Sequence, residues 1–252
     1  MSEILKDQAV VLRTYDFGES SLVTVSLTRV HGKMRFLAKG AKREKSAFFG
    51  NLRTGNLSDI VFYFRHEREL QLLKEIESQH VFDTGGDDFK RLCIFQAGLE
   101  IVDRSVVERE ADERIFDLLE GFIKVLPAAA DPWSLLFTLQ VRLLKTIGLY
   151  PSTALCVECG KDLVNDRFRI DPASGSVTCE NCGGETTMLL SAKSASLLEL
   201  MVNDGYDLLK DITLQPNERK EIGEFLHYLF LHHIDGYRLP YALKLMKGVN
   251  AQ

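Results

Sequence analysis

Four cysteines fall in two identically spaced pairs within CVECGKDLVNDRFRIDPASGSVTCENCGG: Cys156 with Cys159, and Cys179 with Cys182, 19 residues lying between the pairs. Two Cys-x-x-Cys knuckles at such an interval are the pattern of a tetrahedral four-thiolate zinc site. Each knuckle is followed by a glycine, Gly160 or Gly183, which lets backbone amides turn toward the sulfurs. A thioredoxin-like redox pair is the alternative, although thiol exchange needs only one such motif. Four cysteines fill the zinc tetrahedron and leave no position for water, so the expected ion is a structural staple and not a hydrolytic centre. The intervening FRIDPASGSVT predicts a small hairpin that brings the halves together. The fifth cysteine, Cys93, sits in a helical run and reads as a small buried hydrophobe.

A second chemical feature is electrostatic. The chain carries a net charge of −5, yet between Arg29 and Arg53 eight cations face a single acid, Glu44. Residues 1–80 hold 13 lysines and arginines against 10 acids, and every later segment has an excess of acids. An acidic protein with one basic stripe points to a local anionic partner such as nucleic acid. In KMRFLAKG, strand alternation places Met34, Phe36 and Ala38 on one face, and Lys33, Arg35 and Lys39 with Leu37 on the other, toward water. Gly40 then opens a loop, AKREKSAFFGNLR, with Lys42, Arg43 and Lys45 and two adjacent aromatics, Phe48 and Phe49. The competing reading is a solvated basic face, with the phenylalanines plugging a barrel end instead of stacking on bases. Nothing here resembles a recognition helix, so base-specific reading is not expected.

Other catalytic patterns are absent from the sequence: no phosphate-binding Gly-rich loop, no dinucleotide fingerprint, no Gly-x-Ser-x-Gly elbow. His227, His232 and His233 share a predicted helix but not one face of it. The longest apolar stretch, WSLLFTLQVRLLKTIGL, is broken by Arg142 and Lys145, so no membrane span is expected. MSEILKDQAV lacks the pattern of a secretion signal. A cytoplasmic protein is the expectation, and in that reducing compartment five cysteines argue for metal or thiol chemistry over disulfides.

These residues need elements to position them. AVVLRTYDF, SLVTVSLTRV, KMRFLAKGA, SDIVFYFR and ELQLLKEIESQHV are five short runs rich in β-branched and aromatic residues, separated by turn signals. Five strands in about 80 residues predict a small closed barrel of the OB type. From about residue 88 the period becomes helical, in DFKRLCIFQAGLEIVDRSV, DERIFDLLEGFIKVL and DPWSLLFTLQVRLLKTIG, and again in SAKSASLLELMVND and NERKEIGEFLHYLFLHHI. Asp131 and Ser191 are predicted N-caps, and Gly148 a C-terminal stop. The expected fold class is a multidomain α+β protein: an OB-fold barrel over 1–80, a helical domain over 81–150 and 191–252, and a four-cysteine zinc insert over 151–190.

In AVVLRTYDFGESSLVTVSLTRVHGKMRFLAKGAKREKS, and in LLKTIGLYPSTALCVECGK leading into FRIDPASGSVTCENC, the chain resembles the bacterial DNA repair and recombination mediator family RecO along nearly its full length. The resemblance implies a non-enzymatic protein, associated with the nucleoid. Such a protein binds single- and double-stranded DNA, anneals complementary strands, and works with RecR to replace single-stranded-DNA-binding protein by RecA at gaps. It implies that Lys33, Arg35, Lys39, Lys42, Arg43 and Lys45 contact DNA and that the four paired cysteines hold zinc. It also implies docking of the acidic, Phe-ended tail of single-stranded-DNA-binding protein on the helical domain. That tail needs an apolar pocket beside a cation, and Arg142 and Lys145 are the candidates; a solvated helix-end charge is the plainer reading of either. Two other classes stay open: a zinc-stapled OB-fold factor for RNA, and a protein–protein adaptor with an incidental basic face.

Overall fold

The structure, a computed structural model, describes residues 3–83, 88–164, 166–171, 174–184 and 188–249. The chain divides into two compact units, one of Met1–Asp87 with Leu99–Lys124 and one of Asp88–Gly98 with Val125–Gln252.

The first unit is built on five strands, β1 (Glu3–Phe17), β2 (Ser21–Thr28), β3 (Gly32–Ala38), β4 (Leu57–Phe64) and β5 (Leu70–His80). They close a barrel in the order β1-β2-β3-β5-β4, with β3 and β5 parallel and the other pairs antiparallel. Strand β1 begins at Glu3, six residues before the first apolar run. Its early part, Glu3–Val10, pairs with β4, and its later part, Ala9–Phe17, with β2. A register shift between Val11 and Arg13 bends it from one partner to the other. The β3 alternation holds: Met34, Phe36 and Ala38 are buried with Ala9, Val11, Ile60, Phe62, Leu73 and Ile76. The rings of Phe36 and Phe62 meet edge to face, 5.0 Å between centroids. Of the paired loop aromatics, Phe48 packs on this core while Phe49 is 75% exposed.

Helix α1 (Phe89–Ser105) and α2 (Glu113–Val125) are joined by a strap, residues 106–112, that runs along the β2–β3 hairpin. Glu108 forms a parallel bridge with Lys33, and the Arg109 amide donates to the Lys33 carbonyl at 3.0 Å. The Arg109 backbone is left-handed, at φ 63°, and its guanidinium donates to the carbonyls of His66 and Arg68 in the β4–β5 loop. On the other side of the hairpin, Arg29 donates to Asp117 at 2.6 Å and Glu120 at 2.9 Å and lies over the Phe116 ring. Gly32 makes the close approach feasible. At φ +72° it is in the region that favours glycine, and a Cβ there would sit 2.4 Å from the Glu110 carbonyl oxygen. Gly32→Ala is expected to cost about 3 kcal/mol, from the left-handed backbone and a clash that only backbone movement can relieve. Amide hydrogen exchange in β2 and β3 will report it as faster opening, and unchanged protection there would contradict this account of the contact.

In the second unit, α3 (Pro132–Thr146) is the central element, buried over most of its length, with α4 (Ala192–Asn203), the short α5 (Tyr206–Leu209) and α6 (Pro216–His233) around it. Asp131 caps α3 as its position predicts, accepting from the Trp133 amide at 3.3 Å. It is also an anchor for distant segments, taking hydrogen bonds from Lys90 at 3.0 Å, Arg219 at 3.2 Å and the Leu214 amide at 3.3 Å. Burial alone would push this carboxyl up, but Lys90 and Arg219 outweigh that and hold it below the usual carboxylate range. Ser191 caps α4 and Gly148 ends α3 with φ +77°. Cys93 is buried, and burial pushes its thiol up. A final helix, α7 (Tyr241–Val249), follows Pro240. No described helix is long and apolar enough to cross a membrane.

Candidate metal centre and nucleic-acid interface

Between α3 and α4 lies a small three-stranded sheet, in the order β7-β6-β8, of β6 (Phe168–Asp171), β7 (Ser176–Cys179) and β8 (Met188–Leu190). Strands β6 and β7 are the expected hairpin, although residues 172 and 173 of its tip lie outside the described residues. The third strand, β8, pairs with β6 and runs directly into the Ser191 cap of α4. The Ser191 hydroxyl donates to Glu221 of α6 at 2.7 Å, so the sheet is fastened to the helices.

The two knuckles converge. All four sulfurs, of Cys156, Cys159, Cys179 and Cys182, lie within 4.8 Å of one another, and Cys159 Sγ is 3.8 Å from Cys179 Sγ. Sulfurs at the corners of a tetrahedron around a metal 2.3 Å away would be separated by about 3.8 Å, so the arrangement fits a bound ion. The first knuckle closes through the Gly160 amide on the Cys156 carbonyl at 2.9 Å, and the second through the Gly183 amide on Cys179 at 3.1 Å. The glycines serve different ends. Gly160 adopts φ +71°, whereas a Cβ on Gly183 would lie 2.2 Å from Arg169 Cδ and 2.9 Å from Thr178 Oγ1, so close packing excludes a side chain. Desolvation pushes the Cys156 thiol up, but backbone hydrogen bonds from Cys179, Cys159 and Glu158 outweigh it and bring it down to about 6. Cys182 is pushed up to about 12 by the hydrogen bond it shares with Cys179. Four thiols brought together in this way could hold a metal ion, and they are the donor set of a soft or borderline one. No other described histidine, cysteine or carboxylate group clusters in this way.

The basic stripe is divided in three dimensions. Lys33 does not face water: its ammonium donates to the Asp103 carbonyl at 2.5 Å and lies 3.5 Å from the Asp103 carboxylate, which also pairs with Arg13. Arg35 is held by Glu108, with contacts of 2.5 and 3.0 Å, and that hydrogen bond raises its pKa further. Both outward-facing cations of β3 are thus countered by α1 and the strap, acids that lie about 70 residues away in sequence. Lys42 pairs with Asp16 at 2.8 Å on the open surface. Lys39, Arg43 and Lys45 are exposed and make no ion pair among the described residues. Sequence reasoning missed their neighbours: Lys39 shares a groove of about 630 Å³ with Arg65 and Arg68 from the β4–β5 loop, on a floor that includes Leu37, Tyr63, Leu70 and Leu72.

In the second unit, Arg142 donates to the Met201 carbonyl at 2.9 Å and lies over the Tyr206 ring, while Lys145 stands exposed in the last turn of α3. An apolar pocket of this unit lies elsewhere. It holds about 650 Å³ among Phe89, Trp133, Phe137, Tyr237, Leu243 and Met246, with Lys90, Arg219 and Lys220 at its margin.

The family models for the recombination protein O N-terminal and C-terminal domains match residues 1–82 and 86–240. The chain is 29% identical to DNA repair protein RecO of an Exiguobacterium species over 92% of its own length and 90% of that protein. It is 27% identical to DNA repair protein RecO of Bacillus pumilus, over 98% and 94% of the two chains. The five-stranded OB-like barrel, the helical unit and the four-cysteine cluster accompany that match from one end to the other, and the chain belongs to the RecO family of DNA repair proteins.

Proposed function

We propose that this protein binds single- and double-stranded DNA through the barrel without reading base sequence, and anneals complementary strands. Acting with RecR, it would help RecA replace single-stranded-DNA-binding protein at gaps. The observation that carries the reading is the set of exposed cations on the barrel's outer face that form no ion pair among the described residues, where Lys39, Arg65 and Arg68 line one groove and Arg43 and Lys45 occupy the adjoining loop. Cations that neutralise phosphates on two strands lower the repulsion that slows pairing, and released counterions supply the free energy. No bond is made or broken. The metal would be zinc, which four thiolates select and saturate, with a structural role. For the acidic, Phe-ended tail of single-stranded-DNA-binding protein, the pocket of Trp133 and Phe137 offers an apolar seat, with the exposed Lys220 at its margin as the cation, since Lys90 and Arg219 already share Asp131 and Glu224 also lines the pocket. Arg142 is already engaged inside its own unit, so Lys145 is the better of the two helix cations for such a role.

Annealing of complementary oligonucleotides across a salt series tests the reading. Roughly five phosphate contacts on a single strand would give a log–log slope of about −3.5. Annealing of DNA supports the mediator, a preference for RNA would indicate the RNA factor, and neither activity the adaptor. The strap supplies a further prediction. Glu108→Gln releases Arg35, so affinity for a single strand at low salt should rise severalfold and the slope steepen by about 0.7. An unchanged slope would mean that Arg35 does not reach phosphate even when released.

A further inference from the structure

The barrel's outer face also carries an apolar strip that charge does not explain. The register places Leu37 of β3 beside Leu72 of β5, and Leu72 beside Tyr63 of β4. Paired strands lie about 4.8 Å apart, so these three side chains form a continuous row about 10 Å wide. Their sequence neighbours Phe36, Phe62 and Leu73 point into the core, and the row therefore stands on the water side, half-buried, with Leu70 extending it. Around it are Lys39, Arg65 and Arg68 against a single acid, Glu69. A flat apolar floor with one aromatic ring and a cationic rim complements a ligand that is planar and apolar at its centre and anionic at its edge. A strand of DNA with unpaired bases has that form. A duplex does not, because its base faces are already stacked on one another.

We propose that this groove takes the bases of single-stranded DNA, with Tyr63 as the stacking platform and Lys39, Arg65 and Arg68 on the flanking phosphates, so that it makes the barrel select single strands over duplex. The proposal rests on the DNA-binding reading above and adds to it the residues that distinguish the two forms of DNA. Arg109 is a positioning residue here, since it grips the carbonyls of His66 and Arg68 and fixes the loop that carries Arg65 and Arg68.

The test compares three fluorescent probes of about 15 units each, a length within the range an OB fold covers: oligothymidylate, an abasic strand with the same phosphates, and a duplex. The wild-type protein should bind oligothymidylate about tenfold more tightly than the abasic strand. Tyr63→Ala should lose that margin while its affinities for the abasic strand and duplex stay within about twofold, which also shows that it folds. Tyr63→Phe keeps the ring and should behave as wild type. Equal wild-type affinity for oligothymidylate and the abasic strand would overturn the platform and leave phosphate binding intact, as would a Tyr63→Ala variant that weakens on all three probes alike. Wild-type protein that binds none of the three would overturn the DNA-binding reading itself.

Discussion

Replacing Cys179 by serine is expected to abolish metal binding and unfold the small three-stranded sheet. Structural zinc contributes on the order of 10 kcal/mol to the folding of modules of this kind, far more than a sheet with strands of three and four residues can supply by packing. With Cys156, Cys179 is one of the two buried thiols of the cluster. It is buried at the end of β7, and Ser would leave a hydroxyl among three thiols that repel one another once deprotonated. The effect should spread in one direction. Strand β8 pairs with β6 and leads into Ser191, so the first turn of α4 and its bond to Glu221 should loosen as well. Metal analysis of the purified protein, together with limited proteolysis, checks this. The variant should hold no zinc and be cut between residues 155 and 195, whereas affinity for DNA at low salt should change little because the barrel has its own core. An intact digestion pattern after complete removal of metal would refute the stapling role.

The second large effect concerns the barrel. Changing Lys39, Arg43 and Lys45 together to glutamine should reduce the salt slope for a single strand by about 2, which corresponds to about a hundredfold loss of affinity at 0.1 M salt. All three are exposed and without ion pairs among the described residues, so the fold should not suffer, and thermal melting should stay within a few degrees of wild type. The matched control is Lys33→Gln with Arg35→Gln. Those side chains already neutralise Asp103 and Glu108, so their removal should affect stability more than DNA affinity. Equal losses of affinity in the two variants would mean that the strap yields to DNA, and an unchanged slope in the triple variant would remove these cations from the interface.

Which of these features could be read from the chain follows from how local their causes are. The four-cysteine cluster is written in two short knuckles, and the inward row of β3 in strict alternation, so both emerge from the sequence directly. Asp131 and Ser191 are legible as caps for the same reason. The first residues of β1 are not, because Glu3, Lys6 and Gln8 present a polar surface and the segment is a strand only by virtue of β4. Nor are β8 and α5, whose three and four residues are too few to show a period. The fate of Lys33 and Arg35 is set by Asp103, near the end of a helical run, and by Glu108, in the charged stretch VVEREADER, and neither residue's local pattern announces a partner about 70 residues earlier. The groove is hidden more deeply. Lys39 meets Arg65 because β3 and β5 run parallel side by side, and no turn or period announces a pairing that skips over β4.

The double duty of β1 has a consequence for biosynthesis. Its apolar run, Val10 to Leu12, is translated well before Leu57 and Phe64, the β4 residues at the two ends of its second seam. Until those residues emerge, the nascent segment has only β2 to shield it and offers an open ladder to any neighbouring polypeptide. Slow translation or a stalled ribosome between residues 30 and 57 should therefore favour clumping of unfinished chains, and holdase chaperones would find their handhold there.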